Sequence, residues 1–296
     1  MAKVRKDKRG RNLHKGEYQR PDGRYAYAYR YNGKRVFIYD TDLASLRKKE
    51  QQIQADLIDG IRTYESSRLT LNDLFQVYME TKTNLKESTE SNYRYLWEHY
   101  IQHESIAEKA LSKIHKSDVK LLYAKLLQEG FASNSLESIN NLIHPVLELA
   151  VDDDLIRKNP SNGVYREMKT NAPVQRIALT SEQAKHFLQY IESSPQYCSW
   201  LPLFVTLLGT GMRASECTGL VWDNIDFENN CIHVDHALIY RSIHGNAKWY
   251  ISTLKTRNSV RTIPMISAVA QQLNFLYEKH IGKHAKPGPT LDGYHD

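Results

Sequence analysis

The chain has 296 residues, of which 41% are hydrophobic and 25% charged, and its formal net charge is +6. This composition is close to the globular average and excludes an intrinsically disordered chain, while the length allows two or three domains. Three cysteines are too few for a disulfide framework and indicate a reducing compartment. The longest apolar runs, such as residues 200–208, are far shorter than the roughly 20 residues that span a bilayer, and the basic N-terminus has no apolar signal region. We therefore expect a soluble, cytoplasmic protein.

The positive charge is concentrated at the N-terminus. Residues 1–35 contain 12 lysines and arginines against Asp7, Glu17 and Asp22, a net charge of +9, so the remainder of the chain carries −3. A strongly basic segment in a chain with a pI of about 9.0 indicates a polyanionic partner, and nucleic acid is the commonest one. A solvated basic tail is the alternative that charge alone leaves open.

A short β-sheet is predicted next. Residues 17–39 contain three segments of alternating polarity, separated by Pro-Asp-Gly at 21–23 and by Asn-Gly at 32–33, which is a strong hairpin signal. Because side chains alternate along a strand, four tyrosines of the middle strand share one face: Tyr25, Tyr27, Tyr29 and Tyr31. We expect this face to pack on a helix over residues 43–59 that ends at Gly60. The helix contributes Leu43, Leu46, Ile53, Leu57 and Ile58.

The opposite face of this sheet is the candidate DNA-binding surface. Arginines flank Ala26 and Ala28 there. Small side chains between cations allow a sheet to approach a major groove closely while guanidinium groups reach phosphates and base edges. The predicted DNA-binding residues are Arg20, Arg24, Arg30 and Lys34. Ordinary surface charges on a half-buried sheet are the alternative interpretation.

The middle of the chain predicts a small helical domain. From residue 71 onward, apolar residues recur at helical spacing and fit four or five amphipathic helices, and one such helix covers residues 133–155. The expected helix boundaries are Ser88-Thr89, Ser117-Asp118, Gly130 and Asn159-Pro160. Residues 169–173 are typical of a linker, and a new helix is expected to start near Thr180.

The clearest chemical signal lies at residues 209–213, Gly-Thr-Gly-Met-Arg. An apolar helix is followed by a glycine turn that places Arg213 at the start of another helix. Free backbone N–H groups and the helix dipole favour an anion there, and a planar guanidinium group can hold two phosphate oxygens. Glu216 lies on the same helix side, where it either orients Arg213 or accepts a hydrogen bond from nearby backbone.

Thr-Gly-Met-Arg-Ala-Ser-Glu at 210–216, followed by Leu-Val-Trp-Asp-Asn-Ile-Asp at 220–226, resembles the first catalytic box of the tyrosine recombinases, also called phage-type integrases. The resemblance implies that Arg213 clamps the scissile phosphate. A second string, Lys-Thr-x-x-Ser-x-Arg-x-Ile-Pro at 255–264, resembles the β-hairpin that carries the family's catalytic lysine. It implies that Lys255 protonates the departing 5′ oxygen, and three antiparallel strands are expected in this region.

The resemblance covers nearly the whole chain and implies an α+β multidomain fold. Residues 1–65 resemble the arm-type DNA-binding domain of integrases from conjugative transposons, a three-stranded sheet plus a helix. Residues 68–168 resemble the helical, SAM-like core-binding domain. Residues 174–296 resemble the N-terminal part of the mainly α catalytic domain with its three-stranded antiparallel sheet. The family implies double-stranded DNA as partner, at arm and core attachment sites, and homo-oligomers on that DNA. It also implies chemistry without cofactor or metal, and no membrane partner.

The family further requires a His-x-x-Arg box and a tyrosine nucleophile downstream of the lysine. None of the 12 histidines is followed by an arginine three residues later. The tyrosines after the lysine string are Tyr277, which is expected to pack in a helix, and Tyr294. We therefore expect a recombinase cut off within its catalytic domain, which binds DNA without cleaving it. The alternative function is a non-catalytic DNA-binding protein that occupies attachment sites and competes with an intact integrase.

Other chemical patterns are weaker. His233-x-x-His236 is half of a metal-ligand pattern, but strand spacing turns the two side chains to opposite faces. Cysteines 198, 217 and 231 lack Cys-x-x-Cys spacing. Neither pattern predicts a metal site.

Overall fold

The computed structural model of the protein describes residues 5–168, 177–243, 246–254, 256–281, 291 and 294. The chain divides into two compact units, residues 1–173 (unit 1) and residues 174–296 (unit 2). In the described part of unit 1 there are two hydrophobic cores, one under the N-terminal sheet and one among the helices. The linker predicted at residues 169–173 lies outside the described residues.

Unit 1 begins with the predicted three-stranded sheet. Strands β1 (Glu17–Gln19), β2 (Tyr25–Tyr31) and β3 (Lys34–Asp40) pair antiparallel in this order. Asn32 and Gly33 both have positive φ angles, as the favoured two-residue hairpin turn requires. The meander is therefore confirmed, with the turn residues acting as the sequence indicates.

Helix α1 (Leu43–Ile58) covers one face of this sheet. Gly60 follows it with φ +80° and ends it as predicted. Ile58 was expected in the interface, but its side chain is 84% exposed, because it lies about 100° around the helix from the inward-facing Leu57. The interface buries the side chains of Tyr25, Tyr27, Tyr29, Leu43 and Leu46.

The basic N-terminal segment packs on the sheet over its described residues. Lys6 pairs with Asn12 in an isolated β-bridge, and the buried carboxylate of Asp7 accepts hydrogen bonds from Arg11 and from the hydroxyl of Tyr25. Burial raises the pKa of Asp7, but these hydrogen bonds and those from backbone N–H groups outweigh it and lower the pKa to about 2. Residues 5–14 are thus anchored, which contradicts a solvated tail.

The rest of unit 1 is helical. Its helices are α2 (Thr63–Ser66), α3 (Leu71–Thr81), α4 (Glu87–Tyr100), α5 (Lys116–Gln128), α6 (Ser133–Asp152) and α7 (Val164–Met168). The four long helices, α3 to α6, confirm the predicted helical domain. Helix α6 is central, and the rings of Phe75 and Trp97 stack with centroids 3.9 Å apart in the same core. Within the described residues, no helix of either unit combines the length and apolarity that a membrane crossing needs.

Two predicted helix starts are wrong. Ser88 and Thr89 lie inside α4, and Ser117 lies inside α5. In α5 the carboxylate of Asp118 accepts a hydrogen bond from the backbone N–H of His115, so an acidic side chain of the first turn satisfies the helix end.

Unit 2 is mainly helical, with two small antiparallel sheets. The helices are α8 (Ser181–Ser193), α9 (Leu201–Thr210), α10 (Ala214–Cys217) and α11 (Ser267–Ile281), and α8 starts at the predicted N-cap Thr180. The strands are β4 (Ile225–Asp226), β5 (Cys231–Val234), β6 (His236–Ile243), β7 (Asn246–Thr253) and β8 (Arg261–Pro264). Strands β4, β5 and β8 form a three-stranded antiparallel sheet in that order, and β6 and β7 form a separate two-stranded sheet, so the region has more strands than the three expected.

Candidate active site and nucleic-acid interface

The outer face of the N-terminal sheet is basic. In the register of β2 and β3, Ala28 lies opposite Phe37 and Arg30 lies opposite Arg35. Both arginines are exposed, and the small side chain of Ala28 makes the centre of the face shallow. Such a surface can approach the floor of a DNA groove while its guanidinium groups contact phosphates and base edges.

Aromatic rings extend this outer face. The side chains of Phe37 and Tyr39 are 37% and 41% exposed, and their rings stack with centroids 6.5 Å apart. The guanidinium carbon of Arg35 lies 5.1 Å from the ring centroid of Phe37, and that of Arg20 lies 5.1 Å from the ring centroid of Tyr39. These cation–π contacts orient two cations along the sheet.

The predicted DNA-binding arginines occupy the outer face and its edge. Arg30 lies on the face, and Arg20 lies beside it, over the Tyr39 ring. Arg24 precedes β2 and donates two hydrogen bonds to the carboxylate of Asp22, at 3.0 and 2.8 Å. Arg20 also pairs with Asp22, at 3.3 Å, so one carboxylate holds two of the four predicted residues together.

Lys34 is misplaced in the sequence analysis. It lies opposite Tyr31, and it shares its side of β3 with Val36 and Ile38, which pack on the core of the sheet. The alternation of β3 is the signal that would have corrected this, since it turns the odd-numbered residues outward. Three residues that were not predicted share this outward side of β3: Arg35, Phe37 and Tyr39.

In unit 2, the turn after α9 sets the position of Arg213. Gly211 has φ +66°, a left-handed conformation that ends the helix, and its N–H donates to the carbonyl of Leu207. Met212 is buried in the core of the unit, so the chain is anchored immediately before Arg213. Arg213 then adopts an extended conformation and becomes the N-cap of α10.

Glu216 is the centre of the candidate active site. Its side chain is 1% exposed, and its two oxygens accept three hydrogen bonds. Arg213 donates from its backbone N–H, at 3.0 Å, and from Nη1, at 2.6 Å, while Arg261 donates from Nη2, at 2.8 Å. Burial raises the pKa of Glu216, but the hydrogen bonds from Arg261 and Arg213 outweigh it and hold the pKa at about 2. Both roles left open for Glu216, orienting Arg213 and capping its backbone, are present in the structure.

The guanidinium group of Arg213 faces solvent. Its side chain is 69% exposed, and among the described residues Glu216 is the one protein partner of its guanidinium group, through Nη1. One carboxylate against two arginines leaves this cluster with an excess positive charge. Helix α10 has only four residues, so its dipole contributes little, and the open guanidinium edge is what can bind two oxygens of a phosphate.

Lys255 lies outside the described residues, so its predicted role stays a prediction. The residues that follow it are described. Thr256 and Ser259 share a hydrogen bond between their hydroxyl groups at 2.9 Å, and the carbonyl of Ser259 accepts a hydrogen bond from Arg261 Nη1 at 3.0 Å. Arg261 therefore joins this turn to Glu216. Arg261 is part of the second string, but the resemblance implies no role for it.

Both downstream tyrosines contact other rings, and the side chain of Tyr277 is also 36% exposed. The ring of Tyr277 lies 5.1 Å from that of Trp222 and 5.4 Å from that of Phe227, which is the packing role expected for it. The ring of Tyr294 lies 4.0 Å from that of His236.

Potential metal ligands within the described ranges form two groups. Each has three ligand atoms within 4.8 Å of one another, and the groups are Asp226, Cys231 and His233, and His14, Glu17 and Glu50. Neither group includes Arg213 or Glu216. His236 does not complete the first group, because it is buried and its Nε2 contacts the carbonyl of Gly219. That the chemistry needs no metal stays a prediction.

Comparison with known families assigns both ends of the chain. Residues 1–57 match the family described as the DNA binding domain of Tn916 integrase. Residues 178–291 match the phage integrase family. The two matches cover the outer-face arginines and the cluster around Glu216, respectively.

Individual relatives agree with these families. The chain is 29% identical over 311 residues to the transposase from transposon Tn916 of Enterococcus faecalis, which covers 100% of this chain and 75% of the relative. It is 28% identical, with the same coverage, to the transposase from transposon Tn1545 of Streptococcus pneumoniae. It is similar to the Tn1549 transposon integrase in complex with transposon right end DNA, with a TM-score of 0.70 and 28% identity over 77% of this chain and 70% of that one. A lambda integrase tetramer bound to a Holliday junction shares the fold, with a TM-score of 0.52 and 19% identity over 92% of this chain and 77% of that one.

Proposed function

We propose that the chain, which matches the DNA binding domain of Tn916 integrase over residues 1–57 and the phage integrase family over residues 178–291, serves the site-specific recombination of a conjugative transposon. The observation that carries the proposal is the cluster in which one buried carboxylate, Glu216, holds Arg213 at a glycine turn with its guanidinium edge open to solvent. That edge binds the scissile phosphate of double-stranded DNA. Because its substrate is DNA, we expect the protein to act in the cytoplasm.

Each part of the chain has a separate task in this proposal. The outer face of the N-terminal sheet binds distant arm sites through its arginines and aromatic rings. The helical domain of unit 1 binds the core site. Unit 2 brings Arg213 to the scissile phosphate of the core site, and protomers assemble on the DNA as homo-oligomers. Support for DNA binding comes from the similar Tn1549 transposon integrase, which is in complex with transposon right end DNA.

The chemistry of a complete recombinase needs neither metal nor nucleotide. A tyrosine hydroxyl attacks the phosphate, a 3′ phosphotyrosine forms, and the free 5′ hydroxyl of a partner strand reverses the bond. Arg213 stabilises the charge that develops on the phosphate oxygens, an electrostatic role whose loss costs about two to three orders of magnitude in rate. Lys255 donates the proton that the departing 5′ oxygen requires.

These 296 residues bind DNA without cleaving it by themselves, because no histidine among them is part of a His-x-x-Arg box. Both downstream tyrosines pack against other rings. The second candidate function, a DNA-binding protein that occupies attachment sites and competes with an intact integrase, rests on the same observation.

The test uses a nicked suicide duplex that carries the crossover site of the transposon. We incubate it with the 296-residue chain and with its Arg213→Gln variant, and we follow band shifts and covalent adducts on native and denaturing gels. A shift without adduct, weakened in the variant, supports the proposal. An adduct would identify Tyr277 or Tyr294 as a nucleophile, and an unshifted duplex would reject DNA binding.

A further inference from the structure

Arg261 connects two parts of unit 2 that lie far apart in the sequence. It is the first residue of β8, and its side chain is 31% exposed. Its Nη2 donates to Glu216 Oε2 at 2.8 Å, and its Nη1 donates to the carbonyl of Ser259 at 3.0 Å. One guanidinium group thus holds the buried carboxylate and the turn before β8 at the same time.

This arrangement limits how Arg213 binds Glu216. A guanidinium group and a carboxylate left alone favour a pair of parallel hydrogen bonds that uses both oxygens. Here Oε2 already accepts from Arg261 and from the backbone N–H of Arg213. The side chain of Arg213 is left with one bond, from Nη1 to Oε1, among the described residues.

We propose that Arg261 is a positioning residue for the phosphate site. By occupying Glu216 Oε2, it prevents Arg213 from closing onto Glu216 as a bidentate pair, and so keeps the outer guanidinium edge of Arg213 available to an anion. The proposal rests on the proposed function for the identity of that anion, the scissile phosphate. The bonding pattern itself is independent of DNA.

A purely structural role for Arg261 predicts a different outcome. If Arg261 only neutralises a buried carboxylate, its loss loosens the cluster, and Arg213 becomes more mobile and more solvent-exposed. If Arg261 holds Oε2 away from Arg213, its loss lets Arg213 gain a second bond. Hydrogen exchange of the Arg213 guanidinium N–H groups then slows, while its affinity for phosphate falls.

The experiment compares four variants with the unchanged 296-residue chain. Arg261→Met removes every donor and keeps most of the bulk, whereas Arg261→Lys retains one cationic donor for Oε2. Lys248→Met removes a positive charge from an exposed position of β7 and is the matched control. Arg213→Gln tests the anion site itself. Arginine side-chain NMR measures N–H exchange at Arg213 during titration with inorganic phosphate, and thermal unfolding is recorded alongside.

We expect Arg261→Met to slow exchange at Arg213 and to weaken phosphate binding about tenfold, the effect of losing one charge-assisted hydrogen bond. Arg261→Lys restores most of the affinity, and Lys248→Met leaves both readouts unchanged. Unaltered exchange and affinity in Arg261→Met would overturn the proposal, as would faster exchange with equal losses in Arg261→Met and Arg261→Lys.

The Arg213→Gln variant separates this inference from the proposed function. If it binds phosphate as well as the unchanged chain, Arg213 is not the anion site, and the proposed function loses its main support. Slower exchange at Arg213 in Arg261→Met would still establish that Arg261 prevents Arg213 from forming a second hydrogen bond to Glu216.

Discussion

Each unit contains an arginine–carboxylate cluster, and the two have opposite ratios of charge. In unit 1, Arg157 donates from Nε to Asp56 at 2.8 Å and from Nη1 to Asp59 at 2.6 Å, so one cation serves two anions. In unit 2, one anion, Glu216, serves the two cations Arg213 and Arg261. In the first arrangement each of the three guanidinium nitrogens lies within 2.8 Å of a carboxylate oxygen. The second leaves Arg213 an open edge.

The unit 1 cluster is structural. Asp56 and Asp59 lie at the C-terminal end of α1, where negative charge is unfavourable to the helix dipole. Arg157, which lies between α6 and α7 of the helical domain, supplies the missing cation, and the N–H of Arg62 bonds to the carbonyl of Asp154 nearby. The cluster therefore joins the N-terminal sheet to the helices. In our proposal the ratio of cations to anions distinguishes the two clusters: an excess of cations leaves a guanidinium edge that can bind an anion, whereas an excess of anions occupies the guanidinium group within the protein.

The largest effect is expected when the shared anion is removed. Glu216→Ala leaves Arg213 and Arg261 without a counter-charge and removes the acceptor of three hydrogen bonds, and because water can rehydrate the partly exposed guanidinium groups we expect a loss of about 2 kcal/mol. Denaturant unfolding of the full chain, followed by hydrogen exchange in unit 2, measures this loss. The exposed Glu182→Ala in α8 is the control. Equal stability of the two variants would show that the cluster does not contribute to folding.

Removing the shared cation of unit 1 has a more local effect. Arg157→Ala leaves Asp56 and Asp59 to repel each other, so the junction opens while the sheet and the helices stay folded. We expect the amides of Ile61 and Arg62, which bond to the carbonyls of Asp56 and Asp154, to exchange about tenfold faster.

Arg94→Ala is the control for this junction, since Arg94 pairs with Glu90 within α4. Unchanged exchange at residues 61 and 62 in Arg157→Ala would contradict the structural role assigned to Arg157.

Acid tests the unit 2 cluster, because its single carboxylate, Glu216, is buried. The pKa of Glu216 is lowered from 4.5 to about 2, so its stabilising contribution is complete above pH 4.5 and is lost as the pH falls towards 2. Unit 2 should therefore lose stability across this window, and Glu216→Gln should remove that part of the pH dependence. An unfolding profile of Glu216→Gln parallel to that of the unchanged chain would contradict this assignment.

The smallest effect is expected for the ion-pair cluster around Asp22, which has the same charge ratio as the Glu216 cluster but is exposed to solvent. Asp22 holds Arg20 and Arg24 on the sheet, one anion for two cations, but all three side chains are well exposed. Arg24→Ala should weaken arm-site binding several-fold while core-site binding is unchanged, since exposed ion pairs contribute little. Electrophoretic shifts on separate arm and core duplexes measure this. Equal losses on both duplexes would contradict two separate DNA-binding surfaces.

Local patterns predicted much of this structure. Asn-Gly and the alternating tyrosines specify the sheet and its inner face, and the glycine turn places Arg213 at a helix start. These are properties of neighbouring residues, so they can be predicted from short stretches of sequence. Lys34 was assigned to the wrong face of the sheet, because the alternation of inward and outward side chains along β3 was not extended to its first residue.

Contacts between distant residues were not predictable in this way. Arg261 lies 45 residues from Glu216, and Arg157 lies 101 residues from Asp56. Nothing in the spacing of either pair indicates that the side chains meet, because the chain path between them decides it. The second string contained Arg261, yet only the fold shows that it shares a carboxylate with Arg213.

The central claim is that the charge excess around Glu216 makes Arg213 a phosphate ligand. Its most direct test is the affinity of the 296-residue chain and of Arg213→Gln for the crossover duplex, measured over a series of salt concentrations. We predict that the variant binds about tenfold more weakly and that its salt slope is smaller by roughly one, because one phosphate contact is lost. Coincident binding curves at every salt concentration would contradict the claim.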